Sequence, residues 1–431
     1  MTFRFVHTAD LHLDSPLRSL ALRNPELAAL VRGATREALS AIVDLCIAEE
    51  ADALIVAGDL YDGSQTSMNT GLFLVGEFRR LQAAGIRVFL IRGNHDSASA
   101  IRRELSFPDN VHLFSGRSRS VLAKVMESGR AVHVHGIGFD DPHAPDSLLP
   151  RFLPPVPDAI NIGLLHTSLA GAPGHDAYAP CSIADLTGHG FDYWALGHVH
   201  LGADHAERPA IIMPGIPQGR DINEAGEKGV VLVTVSPDGT MARERRRIGA
   251  ARFERLPIDL TALETWRDML ARIAEALEGA ARQFLGPLPN AQLILRLQLT
   301  GAMPLAWRLR RDPDFLLDEV TSLAQSVPGC WVEKIEIDCV PALDGAPPTA
   351  LDPAAELAAL VERDVLTSHG FRHQAGEIMA ELLAQLPREL KESFGTHEEA
   401  AQMLLARIGS EGSAEVLAHL RTEGDAAGSA G

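Results

Sequence analysis

No stretch of the 431 residues approaches the roughly 20 consecutive apolar positions that span a bilayer. The start, MTFRFVHTAD, lacks the basic-then-apolar order of a secretory leader. The sequence therefore predicts a cytoplasmic protein. Cysteine is scarce, and Cys46, Cys181, Cys330 and Cys339 form no CxxC pair, so neither a zinc ribbon nor a disulfide framework is indicated. Only 5% of residues are aromatic, too few for an evident base-stacking platform. There is no GxxxxGK[ST] phosphate loop, so any ATP hydrolysis must come from another chain. The net charge of −18 argues against broad non-specific polyanion binding, which needs Lys and Arg.

What is present is the composition of a folded chain, 46% hydrophobic and 22% charged, long enough for two or three domains. The acidic excess is uneven. From Leu351 to Gly431 fourteen acidic residues stand against six basic ones, a net of −8. Basic clusters lie elsewhere, in ARERRRIGAARFER (242–255), which holds Arg245, Arg246 and Arg247, and in WRLRR (307–311), where Trp307 stands beside Arg308 and Arg310. Each cluster reads either as a solvated face or as a set of phosphate contacts. Trp307, read as a strand residue, is either core or a stacking partner.

To about residue 250, short apolar runs rich in Val and Ile alternate with helical patterns: FRFVHT, ALIVAGD, RVFLIRG, AVHVHGIGF, INIGLLHT, YWALGH, AIIMPG and GVVLVTV read as strands. EALSAIVDLCIAEEA carries helical spacing at Leu39, Ile42, Val43 and Cys46. This predicts a layered α/β domain over 1–250. Residues 251–341 read as a small β-α-β-α-β unit, with helices from about Leu263 to Glu278 and around Phe315 to Gln325. The Pro- and Ala-dense stretch 342–356 reads as a linker, and 357–431 as amphipathic helices.

The strand ends carry the chemistry. HTADLHLDS offers Asp10 and His12; VAGDLYDGS offers Asp59; RGNHDS offers Asn94 and His95; LLHTS offers His166; ALGHVHLG offers His198 and His200. Asp10 and His12, like His198 and His200, stand two apart, so extended backbone would project each pair to one side. Sites in open α/β sheets form beyond the carboxyl ends of strands, so the five segments are expected to converge on one rim. Two divalent ions held close together need a bridging carboxylate, and Asp59 is the natural one. Mixed nitrogen and oxygen donors suit Mn, Fe or Zn better than Mg or Ca.

DLH, GDLYD, GNHD, the HTS histidine and GHVH together resemble the calcineurin-like metallophosphoesterase family. HTADLHLDSPL, GHDAYAPCSIADL and PGIPQGRDINE resemble more narrowly its DNA-repair exonuclease branch, the SbcD and YhaO type. The resemblance implies an α/β/β/α layered β-sandwich core, a small α+β capping domain that places DNA, and a helical C-terminal segment that docks an SMC-like coiled-coil ATPase. It implies two divalent ions, usually manganese: one held by Asp10, His12 and His200, one by Asn94, His166 and His198, with Asp59 between them. His95 would face the scissile phosphate as proton donor. Asp96 would orient His95 or its loop, and Asp14 and Asp62, close to ligands in sequence, are candidate outer partners of the site. Gln218 resembles a family signature without a derivable role. Related nucleases often dimerise, so a homodimer is left open. The expected activity is a manganese-dependent deoxyribonuclease, exonuclease and possibly also endonuclease. The alternatives are a metallophosphatase or phosphodiesterase acting on nucleotides or phosphoproteins, and a non-catalytic scaffold.

Overall fold

The computed structural model describes residues 2–15, 25–62, 67–98, 106–139, 144–169, 178–285, 291–342, 353–385 and 398–420. The first sheet holds β1 (Phe3–Thr8), β2 (Ala53–Ala57), β3 (Arg87–Ile91) and β4 (Val111–Phe114), with β11 (Gly229–Val235) and β12 (Met241–Arg247), in the order β12-β11-β1-β2-β3-β4. Strands β1 to β4 run parallel, and β11 and β12 close the sheet antiparallel. The second sheet has the order β5-β6-β7-β8-β10-β9, from β5 (Arg119–Val125), β6 (Ala131–Gly136), β7 (Ile160–His166), β8 (Tyr193–Gly197), β9 (Ala203–Glu207) and β10 (Ala210–Met213).

Alternation along the strands builds the layers. Phe5, Ala53, Ile55, Phe89 and Ile91 of the first sheet pack against Val132, Val134, Ile162, Leu164 and Tyr193 of the second. The intervening residues Val6, Leu54, Val56, Val88 and Leu90 point the other way, onto Leu39, Ile42 and Val43 of α1 (Pro25–Ala48) and Leu74 and Phe78 of α2 (Met68–Ala83). Leu165, Trp194, Leu196 and Ile211 cover the outer face of the second sheet with Leu186 of α4 (Ile183–His189). The short α3 (Asn94–Ala98) follows β3. The result is the α/β/β/α sandwich, and because strands buried on both faces read as unbroken apolar runs, the sequence shows them plainly.

Beyond it, β13 (Ala251–Asp259), β14 (Gln292–Ala302) and β15 (Cys330–Val340) form a sheet in that order. Helix α5 (Trp266–Phe284) lies between the first two in sequence, and α6 (Ala306–Arg311) and α7 (Pro313–Gln325) between the last two. Trp307 therefore sits on a helix, not on the strand expected for it: the run is only six residues long, too short for helical periodicity to show. Among the described residues three further helices follow, α8 (Pro353–Leu360), α9 (His369–Gln385) and α10 (Glu398–Leu420), with a π-helical turn at Val361–Val365. Helix α10 packs on α6. Most of the expected linker, 343–352, and the tail from 421 lie outside the described residues.

The chain divides into two units. One comprises 1–255 with 281–295 and 329–333; the other comprises 256–280, 296–328 and 334–431. Among the described residues no helix is long and apolar enough to cross a membrane.

Candidate metal centre

All the strand-end residues belong to the first unit. The loops after β1 and β2 stay hydrogen-bonded beyond the sheet, with Asp10 N–H donating to Gly58 O at 3.0 Å and His12 N–H to Asp59 O at 3.1 Å. Asp10, His12 and Asp59 nevertheless take left-handed backbone, with φ of 54°, 41° and 53°, and His198 has φ of 98°. This corrects the extended-backbone expectation: the pairs do not alternate as in a strand. Asp10, His12 and His200 form one group with donor atoms within 4.8 Å of one another, whereas His198 joins Asp59 and His166 in a second. The turn at His198 sends the two histidines of GHVH to different groups.

Between the groups lies the Asp59 carboxylate. Its Oδ2 is 3.8 Å from His12 Nε2 and 3.4 Å from His166 Nε2, and its Oδ1 accepts the His95 N–H at 3.0 Å. Asn94 Oδ1 lies 3.0 Å from His166 Nε2. Asp10 accepts the His198 N–H on both oxygens, at 3.1 and 3.0 Å.

The partners on the far side of each ring fix the tautomers. His166 Nδ1 lies 2.9 Å from the Ala57 carbonyl and His200 Nδ1 lies 2.7 Å from Glu224 Oε1, both acceptors, so each Nδ1 carries the proton. Each Nε2 then directs a lone pair inward. His200 Nε2 faces His12 Nε2 at 3.2 Å, and His166 Nε2 faces a carboxylate and an amide oxygen. Lone pairs and carboxylates turned toward one another fit a divalent cation in each group. Without ions a second proton takes that place: burial opposes charge on His166, but the Asp59 carboxylate, by charge and hydrogen bond, with Asp10, raises its pKa to about 9.

His95 belongs to neither group. Its Nδ1 is 3.1 Å from Asp62 Oδ1, and that hydrogen bond raises its pKa despite partial burial. The other carboxylates divide as follows. Asp62 braces His95. Asp96 braces the loops and not the His95 ring, with Oδ1 accepting the Leu60 and Tyr61 N–H groups and Oδ2 that of Gly93. Asp14 turns to Arg36 and Thr70, pinning its loop to α1 and α2. Gln218 binds the backbone of Ala251 in both directions.

The arginines of the basic clusters have internal partners. Arg245 meets Asp204 and Pro214 O, Arg246 meets Glu49, and Arg247 meets Phe284 O. Arg308 lies over the Trp266 ring, Arg310 reaches Cys339 O, and Trp307 is covered by Arg311. Sequence reasoning missed Arg220 and Glu224, which reach the site from the loop after β10. Their one available signal was GRDINE, with an arginine and a glutamate four residues apart.

The description Calcineurin-like phosphoesterase matches residues 3–202, and Metallophosphoesterase YhaO, middle domain, matches residues 253–340. The uncharacterized metallophosphoesterase YhaO of Bacillus subtilis is 32% identical over 325 residues, which are 74% of this chain and 77% of that protein. The DNA double-strand break repair protein Mre11 of Saccharolobus solfataricus is 27% identical over 54% of this chain and 61% of its own length. Mre11 of Sulfolobus acidocaldarius is 24% identical with the same two shares. Phosphoesterases of this kind use divalent metal ions, and the donor groups around Asp59 suit them. By its likeness to YhaO along three quarters of its length, the chain belongs to the calcineurin-like metallophosphoesterases.

Proposed function

We propose that this hydrolase is a two-metal DNA nuclease, cutting phosphodiester bonds in DNA repair with manganese as its usual ion. One observation carries the reading: the Asp59 carboxylate belongs to one donor group and lies 3.8 Å from His12 of the other, and a histidine outside both, His95, is held by its own carboxylate. Asp10, His12 and His200 would hold one ion and Asn94, His166 and His198 the other. Bound there, the pair would supply a polarised water and a clamp on the phosphate. His95, its Nδ1 fixed by Asp62, presents Nε2 to protonate the leaving oxygen. DNA as substrate is supported by the likeness to proteins named for double-strand break repair. Residues 251–341 would place the DNA, with Arg245, Arg246, Arg247, Trp307, Arg308 and Arg310 as candidate contacts, and the C-terminal helices would dock an SMC-like coiled-coil ATPase.

The test is a metal-dependence series on end-labelled single- and double-stranded DNA, beside a phosphodiester and a phosphomonoester of p-nitrophenol. The Asp59→Ala variant is expected to lose bound metal and cleavage together. His95→Asn is expected to keep its metal and lose roughly 10²- to 10⁴-fold in turnover, the usual worth of a general acid. Turnover of the monoester with no cut DNA would replace the nuclease reading with a phosphatase acting on nucleotides or phosphoproteins. Unimpaired cleavage by His95→Asn would remove the proton-donor role.

A further inference from the structure

The mechanism above does not use Arg220, whose side chain is only 18% exposed. Its backbone N–H donates to Glu224 Oε2 at 2.8 Å and its Nη2 to Glu224 Oε1 at 2.7 Å. Held there, its Nη1 stands 3.8 Å from Asp62 Oδ2. Glu224 in turn receives His200 Nδ1, while Asp62 receives His95 Nδ1 and the Ser15 hydroxyl. One line of charged contacts therefore runs from His200 through Glu224, Arg220 and Asp62 to His95.

The significance lies in a third group of donors. His12, Asp62 and His95 also bring ligand atoms within 4.8 Å of one another, the same spacing as the two groups around Asp59. By composition, two imidazoles and a carboxylate, it is as good a cation site as either. Two features separate it from them. The guanidinium stands 3.8 Å from its carboxylate, whereas in the first group it meets only the outward Nδ1 of His200, at 3.3 Å, and His12 already belongs to the first group. A neutral imidazole has one lone pair, so His12 cannot serve two ions at once. With His12 kept by the first group, an added ion would rest on Asp62 and His95, and so would occupy the group needed to deliver a proton.

We propose that Arg220 is a positioning residue that supplies the positive charge of this third group in place of a metal ion, leaving His12 to the first group and keeping a metal ion off His95. The proposal rests on the two-metal reading. A guanidinium suits the task because it stays charged at any working pH, donates only, and cannot coordinate a metal. Glu224 suits it because one carboxylate both anchors the guanidinium and fixes the His200 tautomer.

The experiment uses the full chain with Arg220→Gln and Arg220→Lys. Metal-free protein is equilibrated with excess Zn²⁺, freed of unbound ion by gel filtration, and its zinc counted per chain. Wild type and Arg220→Lys, which keeps a cation, are expected to hold the same number, and Arg220→Gln about one more. With manganese, Arg220→Gln should lose about 10- to 100-fold on DNA, whose leaving alkoxide needs a proton, and less than about 3-fold on bis-p-nitrophenyl phosphate, whose leaving group does not. Equal zinc counts in all three proteins, or equal losses on both substrates, overturn the proposal. A wild type that binds fewer than two ions strikes the two-metal reading itself, and the proposal with it.

Discussion

At the scale of single residues, the centre is made by backbone that side chains usually avoid. Left-handed φ at a non-glycine residue costs on the order of 1–3 kcal/mol, and here Asp10, His12, Asp59 and His198 all adopt it. The surrounding hydrogen bonds hold them there, and the spacing DxH and HVH named the residues without revealing this, because spacing predicts direction only in regular backbone. Glycine makes the complementary contribution. A Cβ on Gly93 would fall on the Asp59 carboxylate, so GNH needs its glycine for room. Gly93→Ala is therefore expected to leave the fold intact and push the Asp59 carboxylate aside. Manganese affinity by calorimetry should fall about 10- to 100-fold, the range for disturbing a ligand's support. Unchanged affinity would mean that the loop relaxes around the methyl group and that the Asp59 position is not set by Gly93.

At the scale of elements, legibility follows burial. The central strands of both sheets were readable as apolar runs, whereas β12 was not. It is an edge strand whose sequence, MARERRR, is mostly charged, so it reads as a basic cluster although it pairs along its length with β11. Arg220 and Glu224 were hidden for a related reason, since a loop gives charged residues no periodicity to stand out against.

His7 is a buried exception within an apolar strand. Set in β1 of the first sheet, it lies 3.0 Å from the Tyr193 hydroxyl and 3.1 Å from the Leu196 carbonyl, both in β8 of the second. It thus ties the two sheets just below the loops that carry the metal donors. Burial, with Arg245 adding repulsion, lowers its pKa to about 3 in spite of the Leu196 hydrogen bond. The native state therefore keeps His7 neutral, while the unfolded chain takes up a proton near the ordinary value of about 6.5. Its contribution to stability is full above pH 6.5 and is lost as the pH falls toward 3, at most about 1.4 kcal/mol per unit and about 3 kcal/mol by pH 4. Urea unfolding of the metal-free protein between pH 7 and 4 should show this slope, and His7→Gln, which keeps a donor for Leu196 but cannot titrate, should remove one proton's worth of it. Identical slopes would place the acid sensitivity elsewhere.

At the scale of the whole chain, the two units differ in how their apolar residues are placed. The first buries them between and around its sheets. In the second, Met269, Ile273, Leu297, Leu309, Leu316 and Val320 are buried, but the terminal helices are not closed in the same way: Ile378 and Leu382 are each 60% exposed, Met403 75% and Val416 62%. Ile378 and Leu382 lie four residues apart, on one side of α9, with Glu377 and Glu381 adjacent. An apolar stripe edged with acids fits a helical partner with an apolar seam and basic flanks, and the proposed coiled-coil ATPase is the candidate for it. Deleting the segment after Leu351 is a poor test of that docking, because α10 packs on α6 and its removal would strip that contact from the helix. Charge placed on the exposed stripe avoids the problem. Ile378→Asp combined with Leu382→Asp should abolish co-purification with the ATPase, leave thermal unfolding within about a degree of wild type, since exposed substitutions change stability little, and spare manganese-dependent cleavage of a short DNA. Retained association would assign the docking surface to another part of the chain, and loss of cleavage on the short substrate would show that these helices serve the metal centre and not only a partner.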